Sequence, residues 1–576
     1  MAHTAQNTLG ISLIGIFLTS TACYDGVDAP GDEAADDGTS DSAQDSDGAS
    51  DAGDGTTGGD EQGEEDPEAA AICADLEFDN RLDEAACTKI QGVGVELQPA
   101  DEVELCRRLF IDLLGVAPTD HEYEQDCKWR SHEEIVDDFM ARPEYLRLSQ
   151  RQWADVFHYT SAIARWQDIA DLDAKVGMLY TGELSLAEFA TEAPTHPAFL
   201  GRWDGLDLVG YAFQAFLGRD ANPAERVALE PLWHMWDERS AADPFQSNAR
   251  NVVLDTRRCA APFTGDCHSS FWGDESVIIE TPVPGDMDPN GANVLPFAGL
   301  SMGQLGVLQR PGELIAGHEA FYESFVDRTL QRYFGYDIGS QLPLVRQRLV
   351  DLMLETGGDV TVLEREILTS ALYTASNSYD EPVDPDSATW APAYWHGPLK
   401  LMDAETWLAT AAKLTGVDLG HCDHRYPEVQ SGTQGLHPHG YPTTTMGQPD
   451  YGFRDRAALL GGCPDQVDSF RELRTGLIAA LTQATITEEL CGLTTASAPI
   501  FPLGVIEDPN DKTQEALLLA ADQVYASALV KPMPADAMSG VMEGVELCRD
   551  DLSCTPTAFA VETCRLVLKS ADLIAY

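Results

Sequence analysis

The sequence predicts a mainly α-helical protein: multi-helix, bundle-like domains with loosely repeated helix–glycine–helix units and a small β-like insertion. Three observations predict it. An apolar run that stops at glycine recurs, as "RRLFIDLLGVAP" at 107–118, "YAFQAFLGRDANP" at 211–223 and "RTLQRYFGYDIG" at 328–339. Patterns that open helices, S/T-x-x-E above all, follow or neighbour these runs. Strand signal is weak: the best stretch, "SVIIETPVPG" at 276–285, carries two prolines that limit pairing.

Taken in order, residues 1–22 read as a signal peptide. The apolar stretch from Leu9 to Leu18 is too short to span a bilayer but has the length of a signal-peptide core. It ends in small residues before Cys23, and "LTSTAC" resembles a bacterial lipoprotein signal, which implies lipidation of Cys23. An ordinary cleaved signal peptide is the alternative. Residues 23–70 follow as an acidic tether without a single basic residue and with almost nothing to bury, so the segment stays solvated and self-repelling. Loose calcium binding by this tail is a secondary reading. The body then divides into an N-terminal helical domain at 71–275, a short extended insertion at 276–300 and a second helical region at 301–416. An irregular His/Gly/Pro loop at 417–455 and a C-terminal helical region at 456–576 complete it.

The repeated run can be aligned. Phe110, Phe213, Leu330 and Tyr525 correspond, and five residues later stand Gly115, Gly218, Gly335 and, in the fourth copy, Val530. Glycine after an amphipathic run suits a left-handed helix C-cap. Capping boxes are expected at Thr119/Glu122, Ser131/Glu134, Ser185/Glu188, Thr361/Glu364 and Thr485/Glu488, with Asn222-Pro223 and Glu225 opening a further helix. A closing element also recurs, in "DDFMARPEYL" (137–146), "EILTSALY" (366–373) and "CRLVLKSADL" (564–573). Old internal duplication or shared packing constraints explain such a series.

With 36 Lys and Arg against 96 Asp and Glu, the net charge is −60. Such a surface repels nucleic acid and anionic head groups, so nucleic acid is not an expected partner, and contact with a membrane is expected through the lipid anchor. Thirteen cysteines leave twelve once Cys23 is set aside, an even set that suggests disulfides in an exported chain. Nearest neighbours pair as Cys73–Cys87, Cys106–Cys127, Cys259–Cys267 and Cys422–Cys463; the pairing of Cys491, Cys548, Cys554 and Cys564 stays open.

Three constellations invite a functional reading. "GLSMG" at 299–303 matches a G-x-S-x-G nucleophile elbow around Ser301, but Pro296 argues against the strand an elbow needs. Gln304 makes Ser301 a helix cap, so its catalytic candidacy is weak. "DMDPNGAN" places Asp286, Asp288 and Asn290 as in the first half of a calcium loop, with Phe297 where the bidentate glutamate would stand. A plain Asp/Asn/Gly turn explains it equally. His421, His424, His437 and His439 could close a zinc or copper site, or simply line a solvated loop. Calcium at the aspartates and zinc or copper at the histidines are the metals these patterns offer, and neither is a firm expectation. Covalent haem is not expected, since His268 lacks CxxCH spacing.

"CRRLFIDLLGVAPTDHEYE…DDFMARPEYLRLSQRQWADVF" resembles the opening domain of a large uncharacterised envelope-protein family abundant in planctomycetes and myxobacteria. That family's pattern is a basic pair, an apolar run, L-x-G-x-x-P-T, a SPxY element and a Trp. "FVDRTLQRYFGYDIG…LEREILTSALY…GPLKLMDAETWLATAAKLTG" is similar to its companion C-terminal domain, and "CRLVLKSADLIAY" to its closing helix. Members are often fused to c-type cytochrome modules and have no established activity. With the lipoprotein-like signal at Cys23 and the other classes weakly supported by the motifs, the expected role is a lipid-anchored envelope protein that binds or scaffolds other envelope components. The alternatives are an envelope enzyme, hydrolytic or metal-dependent, and an ancillary part of an electron-transfer assembly.

Overall fold

A computed structural model of the chain describes residues 73, 76, 78–93, 97–158, 166–196, 199, 207–229, 302–376, 397–417, 459–462, 477–494, 498–501 and 511–576. These residues are mainly helical, and no strand occurs among them, only two isolated antiparallel bridges. The signal peptide, the tether, the β-like insertion and nearly all of the 417–455 loop lie outside the described residues.

The two bridges organise the fold, because each opens one copy of the same helical module. In the first copy, Pro99 pairs with Ala375; in the second, Leu401 pairs with Ala575. Two backbone hydrogen bonds at each bridge correspond. Ala100 N donates to Thr374 O and Ser376 N to Gln98 O, as Met402 N donates to Ile574 O and Tyr576 N to Lys400 O.

An aspartate follows each bridge and caps the next helix: Asp101 accepts from Glu104 N, and Asp403 from Thr406 N. The first copy then runs through α1 (Glu102–Leu109, continued by a π-helical turn Phe110–Leu114), α2 (Phe321–Phe334), α3 (Pro343–Thr356), α4 (Val360–Leu368) and the short α5 (Ala371–Thr374). The second runs through α6 (Ala404–Thr415), α7 (Gln514–Leu529), α8 (Ala535–Asp550), α9 (Pro556–Val567) and α10 (Ala571–Ile574). In each copy the second helix packs on the third and fourth. The closing helix is opened in each by a serine, Ser370 accepting from Tyr373 N and Ser570 from Leu573 N.

Helix ends match as well. α1 with its π turn and α6 end at Gly115 and Gly416, and α2 and α7 at Gly335 and Val530, all four left-handed. Gly335 is doubly constrained: φ is +80°, and a Cβ there would come within 2.4 Å of Leu399 O. Val530, a β-branched residue at φ +60°, holds the same cap without glycine's freedom. The aligned Phe110, Phe213, Leu330 and Tyr525 are all buried.

Between α1 and α2 the first copy carries a large helical insertion. It includes Pro143–Phe157, Trp166–Tyr180 and Asp207–Leu217, which share a core with α2, α3 and α4. Trp153, Phe157, Phe189 and Phe216 form its aromatic centre. A second core gathers α6, α7, α9 and helix Leu477–Leu493, and Ile111 and Ala117 from the first copy reach into it.

Capping boxes stand at Thr119/Glu122, Ser131/Glu134, Ser185/Glu188 and Asn222/Glu225. Two expected boxes are corrected. Asp359, not Thr361, caps α4, because its carboxylate accepts from both Thr361 N and Val362 N. That frees Glu364 for another role. Thr485 lies inside Leu477–Leu493, and its hydroxyl bonds back to Leu481 O.

Disulfides join Cys73 to Cys87 and Cys106 to Cys127, and the pairs left open from sequence are Cys491–Cys564 and Cys548–Cys554. Cys259, Cys267, Cys422 and Cys463 lie outside the described residues.

Candidate functional site

The most concentrated chemistry among the described residues is a buried polar network where the two copies meet. It begins with the adjacent arginines on α1. Arg108, 1% exposed, donates through Nη1 to Tyr373 O and to Ala375 O, the latter at 3.0 Å, and pairs with Glu104 at 2.8 Å. Arg107 donates to Leu573 O at 2.5 Å. Tyr373 and Leu573 are equivalent positions, each third after the capping serine. The basic pair therefore clips both closing helices, one guanidinium to each copy. Burial drags the Arg107 guanidinium down to about 10, against the pull of Asp572, Tyr525 and Tyr576. It remains charged at neutral pH.

One turn on, Asp112 projects from the π-helical segment and is nearly buried. It accepts from the Tyr373 hydroxyl at 2.8 Å and pairs with Lys400. Burial lowers the Lys400 ammonium to about 8, with Asp112 opposing and Arg108 and Arg332 assisting. The Lys400 ammonium lies 4.8 Å from the Tyr576 ring centre, and Lys400 and Tyr576 exchange both backbone hydrogen bonds at 2.9 Å.

Glu364 on α4 forms the second hub. It accepts from the hydroxyls of Tyr333 at 2.6 Å, Tyr145 at 2.7 Å and Tyr180 at 3.2 Å, and from Arg332 at 3.0 Å. Burial pushes all three phenols up, and the Glu364 charge adds to the shift, so they stay protonated donors. Burial works against the Arg332 guanidinium, but Glu364 and the tyrosines hold it above its ordinary range. In the second copy the position equivalent to Glu364 is Cys564, tied to Cys491. One copy is fastened there by an ionic hub, the other by a disulfide.

Further polar contacts cross between the copies. Arg151 pairs with Asp403 at 2.5 Å, Lys413 with Glu122 at 2.5 Å, and Thr410 Oγ1 accepts from Ala117 N at 3.0 Å. Each acid in the network meets a cation or phenols, and each carbonyl a donor. The arrangement is suited to fixing geometry.

The residues singled out from sequence fall elsewhere. Cys23, Asp286, Asp288, Asn290, Ser301, His421, His424, His437 and His439 all lie outside the described residues. Helix Met302–Ala316 begins immediately after Ser301. Among the described residues no group of three or more His, Cys, Asp or Glu side chains is placed to hold a metal ion. Sequence reading missed the network itself. Its signal was there: two adjacent arginines and one aspartate inside an otherwise apolar run, in a chain poor in basic residues.

Residues 81–175 match the model of a family described as a protein of unknown function, DUF1549 or PSCyt2. The match covers α1, its basic pair and the first part of the insertion, and it overlaps the segment that carries the opening-domain resemblance. No curated protein and no solved structure matches the chain.

Proposed function

We propose that the chain is an exported, lipid-anchored cell-envelope protein whose helical body binds or scaffolds other envelope components. The observation that carries this reading is the disulfide set: four bridges among the described residues, in both copies of the module. Such bridges persist in oxidising compartments outside the cytoplasm. The N-terminal sequence supplies the means of attachment. Cys23 ends an apolar stretch, and the acidic sequence at 24–70 that follows offers a tether between anchor and body. No described helix is long and apolar enough to cross a membrane.

Detergent-phase partitioning tests the anchor. The native protein is expected in the detergent phase and to incorporate labelled palmitate; Cys23→Ala is expected to move to the aqueous phase unlabelled. Unchanged partitioning of Cys23→Ala, or a mature N-terminus other than Cys23, sinks the lipid-anchor reading.

A further inference from the structure

The Lys400–Asp112 pair has features that a plain ion pair does not require. The two side chains are 9% and 4% exposed and come from segments 288 residues apart. Both are held by their backbones. Asp112 stands in the π-helical turn, and that turn makes the cap-to-cap span from Asp101 to Gly115 one residue longer than its counterpart from Asp403 to Gly416. Lys400 is pinned by its two-way backbone pairing with Tyr576, and its Nζ also reaches Arg332 O at 3.3 Å. The bridge in the first copy forms with Gln98 at the position equivalent to Lys400, so closing the module does not need this pair.

We propose that Lys400 and Asp112 are joined by an isopeptide bond between Lys400 Nζ and Asp112 Cγ. The Lys400 amine attacks Cγ of Asp112. The Nζ–Cγ bond forms, the Cγ–OH bond breaks, and the hydroxyl leaves as water with a proton from the nitrogen. Taken from ammonium and carboxylate, the products are one amide and one water, with no oxidant or reductant.

The site supplies what this condensation needs. Holding the two groups in contact replaces a bimolecular encounter by a unimolecular step. Burial, with Arg108 and Arg332 nearby, brings the Lys400 amine within reach of its neutral form near pH 8. The Tyr373 hydroxyl, 2.8 Å from Asp112 Oδ2, donates to the oxygen on which negative charge develops, and the Tyr576 phenol stands near the same carboxylate. The rings of Tyr333 and Tyr576 lie beside Nζ and keep water away from the finished amide. The product would fasten the first copy to the second covalently, as the disulfides fasten parts within them.

Peptide mapping of the full chain, reduced and alkylated, decides the matter. An isopeptide at Lys400 blocks trypsin there. The wild type is expected to give peptide 109–128 joined to peptide 366–413, one water lighter than the two together. Lys400→Arg is expected to give 109–128 as a free linear peptide. Free 109–128 in full yield from the wild type, with cleavage after Lys400, overturns the proposal whether or not the variant folds.

Discussion

Arg108→Leu is expected to destabilise the body by about 3–5 kcal/mol, the usual cost of removing one side of a buried charged contact. Against a total of about 5–15 kcal/mol for a typical native protein, that is a large fraction. The substitution strips the donor from Tyr373 O and Ala375 O and removes the Arg108–Glu104 ion pair. Arg108→Lys should fall between, because one ammonium lacks the guanidinium fork that serves two carbonyls and a carboxylate together. Urea unfolding followed by circular dichroism measures it. A shift no larger than that of an ordinary surface change, about 0.5 kcal/mol, contradicts the clip.

Glu364→Leu is expected to cost a similar amount, about 3–5 kcal/mol, for the opposite reason. The acceptor vanishes, and three phenols and the Arg332 guanidinium are left facing an apolar side chain. Glu364→Gln should cost less, since it keeps one acceptor oxygen but sets an amide donor against hydroxyl donors. Glu355 serves as the control. Its pair with Arg81 is exposed, with side chains 58% and 42% accessible, and Glu355→Ala is expected to change stability by no more than about 1 kcal/mol. If Glu364→Leu unfolds at the same urea concentration as Glu355→Ala, the hub carries no stability.

Local grammar was legible in the sequence to the extent that it is written within a few residues. The glycine stops at Gly115, Gly218 and Gly335 are left-handed caps, and Val530 takes the same conformation at the fourth aligned position. Capping boxes were read correctly where no rival cap stood nearby. At α4 the pattern Thr361-x-x-Glu364 misled, because Asp359 two residues earlier competes for the same amide donors and the spacing cannot tell which oxygen wins. At Thr485 the same spacing occurs inside a helix, where the hydroxyl bonds backward.

The network was not legible because its members are brought together only by tertiary pairing. Lys400 and Asp112, or Arg107 and Leu573, share no local pattern. The duplication was half visible: the closing elements "EILTSALY" and "CRLVLKSADL" align in sequence, and the bridges to Pro99 and Leu401 that make them equivalent do not show until the chain is folded.

Hydrogen exchange of backbone amides in Arg107→Ala and Arg108→Ala tests the central claim, that one basic pair clips two copies of the same module. Each arginine holds a different closing helix, so the losses of protection should separate. Arg108→Ala is predicted to expose the amides of Ala100 and Ser376 and leave those of Lys400, Met402 and Tyr576 protected; Arg107→Ala is predicted to do the reverse. Equal loss at both bridges in both variants, or loss at neither, contradicts the account.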